Sequence, residues 1–225
     1  MSNIPRLVRP GMRVVEIGGN IGWITVHLAK CVGRNGEVLV LEASPMNVNY
    51  LRDNTFGLSN VVVVEAAASN HVGEAEFFVE TLTGQNDSLV QDYGVLQRNE
   101  ALAFRRAEVK RIIVKTMPVD DLICPHRGPI EFVKVDVEGA ELVVLEGMRG
   151  ILSRDRPAVA IEITRNRKAV FAILEEMGYL VVDASLSYVE SVDGTETNLI
   201  GLHREVHVEY IAGIVGLAGS DGRYS

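Results

Sequence analysis

The chain is short of the residues that staple, stack or span. Its 225 residues include two cysteines, Cys31 and Cys124. Neither sits in a CxxC pair or a Cys/His cluster, which argues against a disulfide framework or a structural zinc. Aromatic side chains make up 6% of the chain, little material for stacking nucleic-acid bases. No run approaches the ~18 apolar residues of a membrane span, and Met1–Arg6 opens no apolar segment. A cytoplasmic location without a membrane partner is therefore expected. Basic residues are outnumbered 22 to 30, for a net charge of −8. Nucleic-acid binders carry a basic stripe for phosphates. The densest patch here, Arg105, Arg106, Lys110, Arg111 and Lys115, is interleaved with Glu108 and reads as a solvated helix face or strand edge. No nucleic-acid partner is expected, and a homodimer is left open.

Apolar residues reach 47% and charged residues 23%, the balance of a soluble globular protein, and the length suits one α/β domain. Short β-branched runs alternate with helical periodicity. Strands are predicted at Arg13–Ile17, Glu37–Glu42, Val61–Glu65, Ile130–Val135, Ala158–Ile163 and Tyr179–Asp183. Near-continuous apolar runs of this kind suit parallel strands buried on both faces. Helices are predicted at Ile21–Lys30, Ala140–Leu152 and Lys168–Met177, the last ending at Gly178. This alternation implies a doubly wound, mostly parallel sheet. Ala75–Val79 and Val109–Met117 read as extra strands flanking a polar stretch, so residues 80–108 are an insertion, or a lid, after the third core strand. Thr197–His203 reads as a final, antiparallel edge strand. Gly216–Ser225 is expected to fray. The whole of 1–225 is read as a single domain.

The most informative segment is Val14-Val15-Glu16-Ile17-Gly18-Gly19-Asn20-Ile21-Gly22. A buried strand ends in an acid, turns through glycines and opens a helix. In open α/β sheets ligands sit at the carboxyl ends of the strands. The second strand ends at Glu42, 20 residues beyond Gly22, where a carboxylate can take both ribose hydroxyls of a nucleoside. A nicotinamide dinucleotide is the competing ligand. Its G-x-G-x-x-G fingerprint is broken by Asn20, and Glu16 would be unwelcome beside a pyrophosphate. S-adenosylmethionine (SAM), with a sulfonium, an ammonium and no phosphate, tolerates these acids. Ala43, Ala66 and Ala67 leave room for a flat adenine, and Glu65 could accept from its amine or be an ordinary strand-end carboxylate.

The fourth core strand runs into Lys134-Val135-Asp136-Val137-Glu138-Gly139-Ala140-Glu141. Asp136 is expected beside the transferred methyl. Glu138 and Glu141 fall near a helix start, where the dipole alone would favour carboxylates. Glu162 ends an otherwise apolar fifth strand, an expensive place for an unpaired acid. Asp136 and Glu162 together are a candidate Mg²⁺ site, completed by waters and substrate hydroxyls. The simpler reading has one of them bonded to a backbone amide or to Lys134. Because the last strand is antiparallel, its start faces the site, favouring Thr197 and Asn198 as substrate contacts over His203. His27, His71, His126 and His207 are no better placed. The proton of an attacking hydroxyl then falls to a carboxylate or to a metal that acidifies it.

Taken together these residues resemble the FkbM family of methyltransferases, from about Gly11 to Ile163. The matching pieces are Val15–Gly22, the Glu42 strand end, Asn86-Asp87-Ser88-Leu89, Met117-Pro118-Val119-Asp120-Asp121-Leu122, and Lys134–Leu142 continuing through Val144-Leu145-Glu146-Gly147. The resemblance implies a class I, Rossmann-like fold with a seven-stranded sheet, and SAM as cofactor. It also implies O-methylation of sugars or sugar-bearing small molecules, and catalytic roles for Asp136 and Glu138. Some related sugar methyltransferases use Mg²⁺. Glu16, Gly18, Gly19, Asn20, Gly22, Glu42, Ala43, Glu65, Ala66, Ala67 and Asp136 are the expected cofactor residues. Ser88, Glu162 and Asn198 are the expected substrate residues. The family often has Asp at position 16, Ala at 19 and Pro directly after the ribose-binding acid. Three other readings were weighed: an RNA methyltransferase of the same fold, a nicotinamide-dependent oxidoreductase, and a non-catalytic SAM-binding protein.

Overall fold

The structure is a computed structural model that describes residues 4–80, 89, 109–123, 127–189, 193–194 and 196–220. Ser88, and the 80–108 insertion apart from Glu80 and Leu89, lie outside the described residues. Ten strands appear in chain order: β1 (Arg13–Ile17), β2 (Glu37–Glu42), β3 (Val61–Glu65), β4 (Ala67–Ala68), β5 (Gly73–Glu80), β6 (Val109–Met117), β7 (Phe132–Val135), β8 (Ala158–Glu162), β9 (Tyr179–Asp183) and β10 (Asn198–His203). The helices are α1 (Ile4–Leu7), α2 (Trp23–Val32), α3 (Pro45–Asn54), α4 (Glu141–Glu146), α5 (Arg149–Arg154), α6 (Arg167–Glu176) and α7 (Val208–Ser220).

Seven strands form the main sheet in the order β3-β2-β1-β7-β8-β10-β9. Pairings are parallel through β8, and β10 runs antiparallel to both β8 and β9. Alternate residues of each strand feed opposite faces, as the pleat requires. Val14, Val38, Phe132 and Ala158 pack with Leu7 and Leu28, and with Ile214 of α7. Val15, Val133 and Val159 pack with Val144, Ile151 and Leu174 of α4, α5 and α6. Both faces are therefore covered, which is why these strands read as continuous apolar runs.

Three sequence expectations change. The helix predicted over Ala140–Leu152 is two short ones, α4 and α5. Gly147 ends the first against the backbone of Ser69; a Cβ there would lie 1.8 Å from the Ser69 carbonyl oxygen. Asp120 of the Met117–Leu122 motif then caps the second, its carboxylate accepting from the Gly150 and Ile151 amides at 2.7 and 2.8 Å. The Thr197–His203 strand is no edge: β10 is inserted between β8 and β9, and its residues are buried from Leu199 to His203. The extra strands β5 and β6 join β4 in a separate three-stranded sheet. Helices α1, α3 and α7 were not anticipated. Among the described residues, no helix is long and apolar enough to cross a membrane.

The chain leaves β1 towards β2 and β3 on one side, and returns to β7 and β8 on the other. The switch point of this winding lies between β1 and β7, at their carboxyl ends, where open α/β sheets bind ligands.

Candidate active site

At the switch point the Asp136 amide donates to the Ile17 carbonyl at 3.0 Å. Gly18 packs so close to Asp136 that a Cβ would lie 1.9 Å from the Asp136 carbonyl oxygen, and its φ is +84°. Only glycine fits there. Asn20 also has a left-handed φ, of 48°. Asparagine tolerates this conformation better than other side-chain-bearing residues, which accounts for its place where a dinucleotide loop carries glycine. Glu42 ends β2 beside this loop. One of its oxygens accepts from the Asn20 amide at 2.7 Å and the other from the Ser44 amide at 2.8 Å.

Around these residues lies a cleft of about 620 Å³, part of it open to solvent. Gly18, Asn20, Glu42, Ala43, Ala66 and Ala67 line it from the side of β1 to β3, with Asp136 and Glu138 across from them. Ile17, Leu41, Asn47, Ala68, Phe77, Leu89, Val137 and Ala140 complete the lining, and the sequence had not singled out Asn47, Ala68 or Phe77. An acid at the end of β2, a wall of alanines and a backbone loop without side-chain bulk fit the ribose, adenine and amino-acid parts of SAM. Glu138 holds a left-handed φ of 45° in the turn after β7. That turn is stapled by Glu141. One Glu141 oxygen accepts from the Gly139 amide at 2.9 Å, the Thr164 amide at 3.1 Å and the Thr164 hydroxyl at 2.7 Å.

Four expected cofactor residues stand away from the cleft lining. Gly19 and Gly22 serve packing: a Cβ would lie 2.3 Å from Val40 Cγ2 at the first and 2.7 Å from Leu51 Cδ1 at the second. Glu65 pairs with Arg52 at 3.2 Å on the surface. Glu16 is fully buried beneath the loop, accepting from the Thr25 hydroxyl at 2.6 Å and lying 3.9 Å from Lys134 Nζ. Burial raises the Glu16 pKa to about 7, against the lowering effects of Lys134 and the Thr25 hydroxyl.

A second cavity, of about 530 Å³, opens on the α1 face of the sheet. The strand register explains its polar wall. Glu16 pairs with Lys134 and Lys134 with Ala160, while Glu162 pairs with Asn198. One step further along the same face, Asp136 therefore stands beside Glu162. Lys134, Asp136, Glu162 and Asn198 line the cavity over an apolar floor that includes Leu7, Ala160 and Ile200. Lys134, buried, holds Asp136 at 2.9 Å. Glu162 has no hydrogen-bond or ion-pair partner among the described residues. Its pKa is raised, first by burial and then by the Asp136 charge, with Lys134 opposing. Asp136 is the residue common to both cavities. No histidine among the described residues lines either one.

The Mg²⁺ expectation at Asp136 and Glu162 finds no donor set. No group of three or more His, Cys, Asp or Glu that could hold a metal ion occurs among the described residues. The Asp136 carboxylate faces the Lys134 ammonium instead, as the simpler reading had it.

The winding order, the antiparallel strand near one edge and the site at the switch point are those of a class I methyltransferase-like fold. Residues 16–181 match the family described as the Methyltransferase FkbM domain, and the chain belongs to this SAM-dependent family. Among solved structures it is similar to methyltransferase FkbM from Methylobacillus flagellatus KT, at 16% identity and a TM-score of 0.53. That likeness covers 87% of this chain and 48% of the other, so the chain spans about half the length of that relative. It is also similar to a Clostridium thermocellum protein provisionally called an rRNA-methylase, at 12% identity and a TM-score of 0.52, over 89% of both chains. A comparison with curated proteins gives no match.

Proposed function

We propose that the chain transfers a methyl group from SAM to a hydroxyl oxygen of a small, sugar-like acceptor seated in the second cavity. The observation that carries the reading is the position of Asp136, which borders both cavities. SAM supplies an electrophilic methyl on a positively charged sulfur. Glu42 would hold the ribose, the alanines 43, 66 and 67 the adenine, and Glu138 the polar end of the cofactor. The acceptor oxygen must then be held in line with the methyl, which is mainly a matter of position.

Asp136 and Asn198 orient that oxygen and its neighbours. Glu162, which has no hydrogen-bond partner among the described residues and is more basic than an ordinary glutamate, takes the hydroxyl proton. An acceptor rich in hydroxyl donors with an apolar flank matches carboxylates over an apolar floor. A phosphodiester would meet Asp136 and Glu162 while the nearby cation, Lys134, is already engaged. This and the net charge of −8 weigh against RNA.

The test is calorimetric titration with S-adenosylhomocysteine (SAH), with NAD as control, followed by a screen of sugar hydroxyl acceptors. Micromolar SAH binding, no NAD binding and turnover on a sugar are expected. Binding of NAD, or of neither nucleotide, would overturn the cofactor assignment; turnover confined to RNA would overturn the acceptor assignment.

A further inference from the structure

Neither cavity's chemistry accounts for the polar row in which buried Thr25, Glu16 and Lys134 lead up to Asp136 at the cavity walls. A lysine side chain that is 8% exposed lies between two carboxylates, 2.9 Å from Asp136 and 3.9 Å from Glu16. Placing a cation there is costly unless its charge is used. Asp136 is 26% exposed on its side chain and is the acid that borders both cavities.

We infer that Lys134 is a positioning residue that occupies the Asp136 carboxylate and so limits how strongly the resting site attracts the positive sulfur of SAM. The inference rests on the reading of the first cavity as the SAM site. Catalysis gains only from interactions stronger in the transition state than in the ground state. The positive charge concentrated on sulfur in SAM disperses as the methyl leaves. A bare carboxylate beside it would hold the charged donor more tightly than the transition state, and so slow transfer. Lys134 neutralises that carboxylate and fixes its orientation towards the acceptor, with Glu16 3.9 Å away on its other side and the Thr25 hydroxyl bonded to Glu16 in turn. The acid of the glycine loop thus acts on the site through Lys134, with no contact to the cofactor.

SAM and SAH differ by one methyl and one positive charge, so their affinity ratio reads this effect without any acceptor. Calorimetry with SAM and with SAH would be run on the natural chain, Lys134→Met, Lys134→Arg and Asp136→Asn. Lys134→Met should raise the SAM-to-SAH affinity ratio on the order of tenfold, since a charge pair a few ångströms apart in a partly buried site is worth at least that much. Lys134→Arg should keep the natural ratio. Asp136→Asn leaves Lys134 with only the more distant Glu16 to balance it and should lower the ratio by a similar factor. Should Lys134→Met fail to fold, Glu16→Gln/Lys134→Met, which leaves no bare carboxylate at the buried end, gives the same reading. Retained SAH binding with an unchanged ratio in these variants would overturn the inference. Failure of the natural chain to bind SAH would overturn the cofactor assignment instead.

Discussion

Glu42 accepts the backbone N–H of Asn20 at 2.7 Å, tying the end of β2 to the glycine loop that follows β1. Its second oxygen takes the Ser44 amide at 2.8 Å. The residue is 6% exposed, so both bonds are sheltered from water. Glu42 therefore shapes the loop as well as being the residue proposed to hold the ribose. Removing it strands two amides, each charge-assisted bond being worth about 1.5–3 kcal/mol. Glu42→Ala should weaken SAH binding by at least roughly 30-fold in calorimetry, equivalent to about 2 kcal/mol. It should also lower the melting temperature. Glu42→Gln, which keeps one acceptor, should do less of both. Unchanged SAH affinity in the alanine variant would show that the ribose lies elsewhere.

In the function proposed above, Glu162 and Asp136 divide the work in the second cavity. Glu162→Gln should lower turnover on a sugar acceptor about 100-fold, the lower range for loss of a general base. SAH affinity should stay as it was, because Glu162 does not line the first cavity. A base must be ionised to act, and burial with the Asp136 charge places Glu162 above the ordinary 4.5. Activity should therefore fall as pH drops through that raised value, and this acid limb should vanish in the Gln variant. A pH profile unchanged by the substitution would assign the proton to another group.

Glu16 gives a prediction that needs no ligand. Its pKa is about 7 in the fold, against 4.5 ordinarily, because it is buried. Between those values the folded chain keeps a proton that the unfolded chain releases. Stability should therefore decline as pH rises across that window and level off above it. Glu16→Gln imitates the protonated form. It should exceed the natural chain in stability at pH 8 by about 3 kcal/mol, and the gain should disappear near pH 4.5. Urea unfolding at the two pH values checks this. A gain of equal size at both would mean that the titrating group is not Glu16.

Much of this was legible from alternation alone. Buried strands announce themselves as apolar runs, so β1, β2 and β9 were located to the residue; so was the edge strand β3, whose Val62 stays exposed. Acids that interrupt such runs, Glu42 and Glu162, marked the site's strand ends for the same reason. Packing against distant backbone was not legible. Gly147 meets Ser69, Asp120 caps α5, and Gly19 and Gly22 make room for Val40 and Leu51. Each depends on partners brought together only by the fold. Lys134 shares Asp136's face by simple alternation, but its pairing with Glu16 needs the register of β1 against β7. The insertion of β10 between β8 and β9 was hidden because both of its faces are apolar, and a run of that kind does not name its neighbours.

Two adjacent glycines of the loop should respond differently to an added methyl. At Gly18 the new Cβ would sit 1.9 Å from the Asp136 carbonyl oxygen, and φ is +84°. That oxygen belongs to a backbone held by the Asp136 amide bond to Ile17, so it cannot turn aside. At Gly19 the obstacle is side chain: Val40 Cγ2 at 2.3 Å and Leu51 Cδ2 at 3.3 Å. Gly19 carries no left-handed φ, so alanine costs only overpacking there, about 1–3 kcal/mol. Val40→Ala removes the obstructing methyl, so Gly19→Ala/Val40→Ala should be more stable than the sum of the two single changes predicts. SAH binding should return with it. No side-chain change should rescue Gly18→Ala, which is expected to lose SAH binding altogether. Thermal unfolding and SAH calorimetry on the three single variants and on Val40→Ala combined with each glycine change test this directly. Rescue of Gly18→Ala by Val40→Ala, or none for Gly19→Ala, would mean that the loop does not meet β2 and β7 as described.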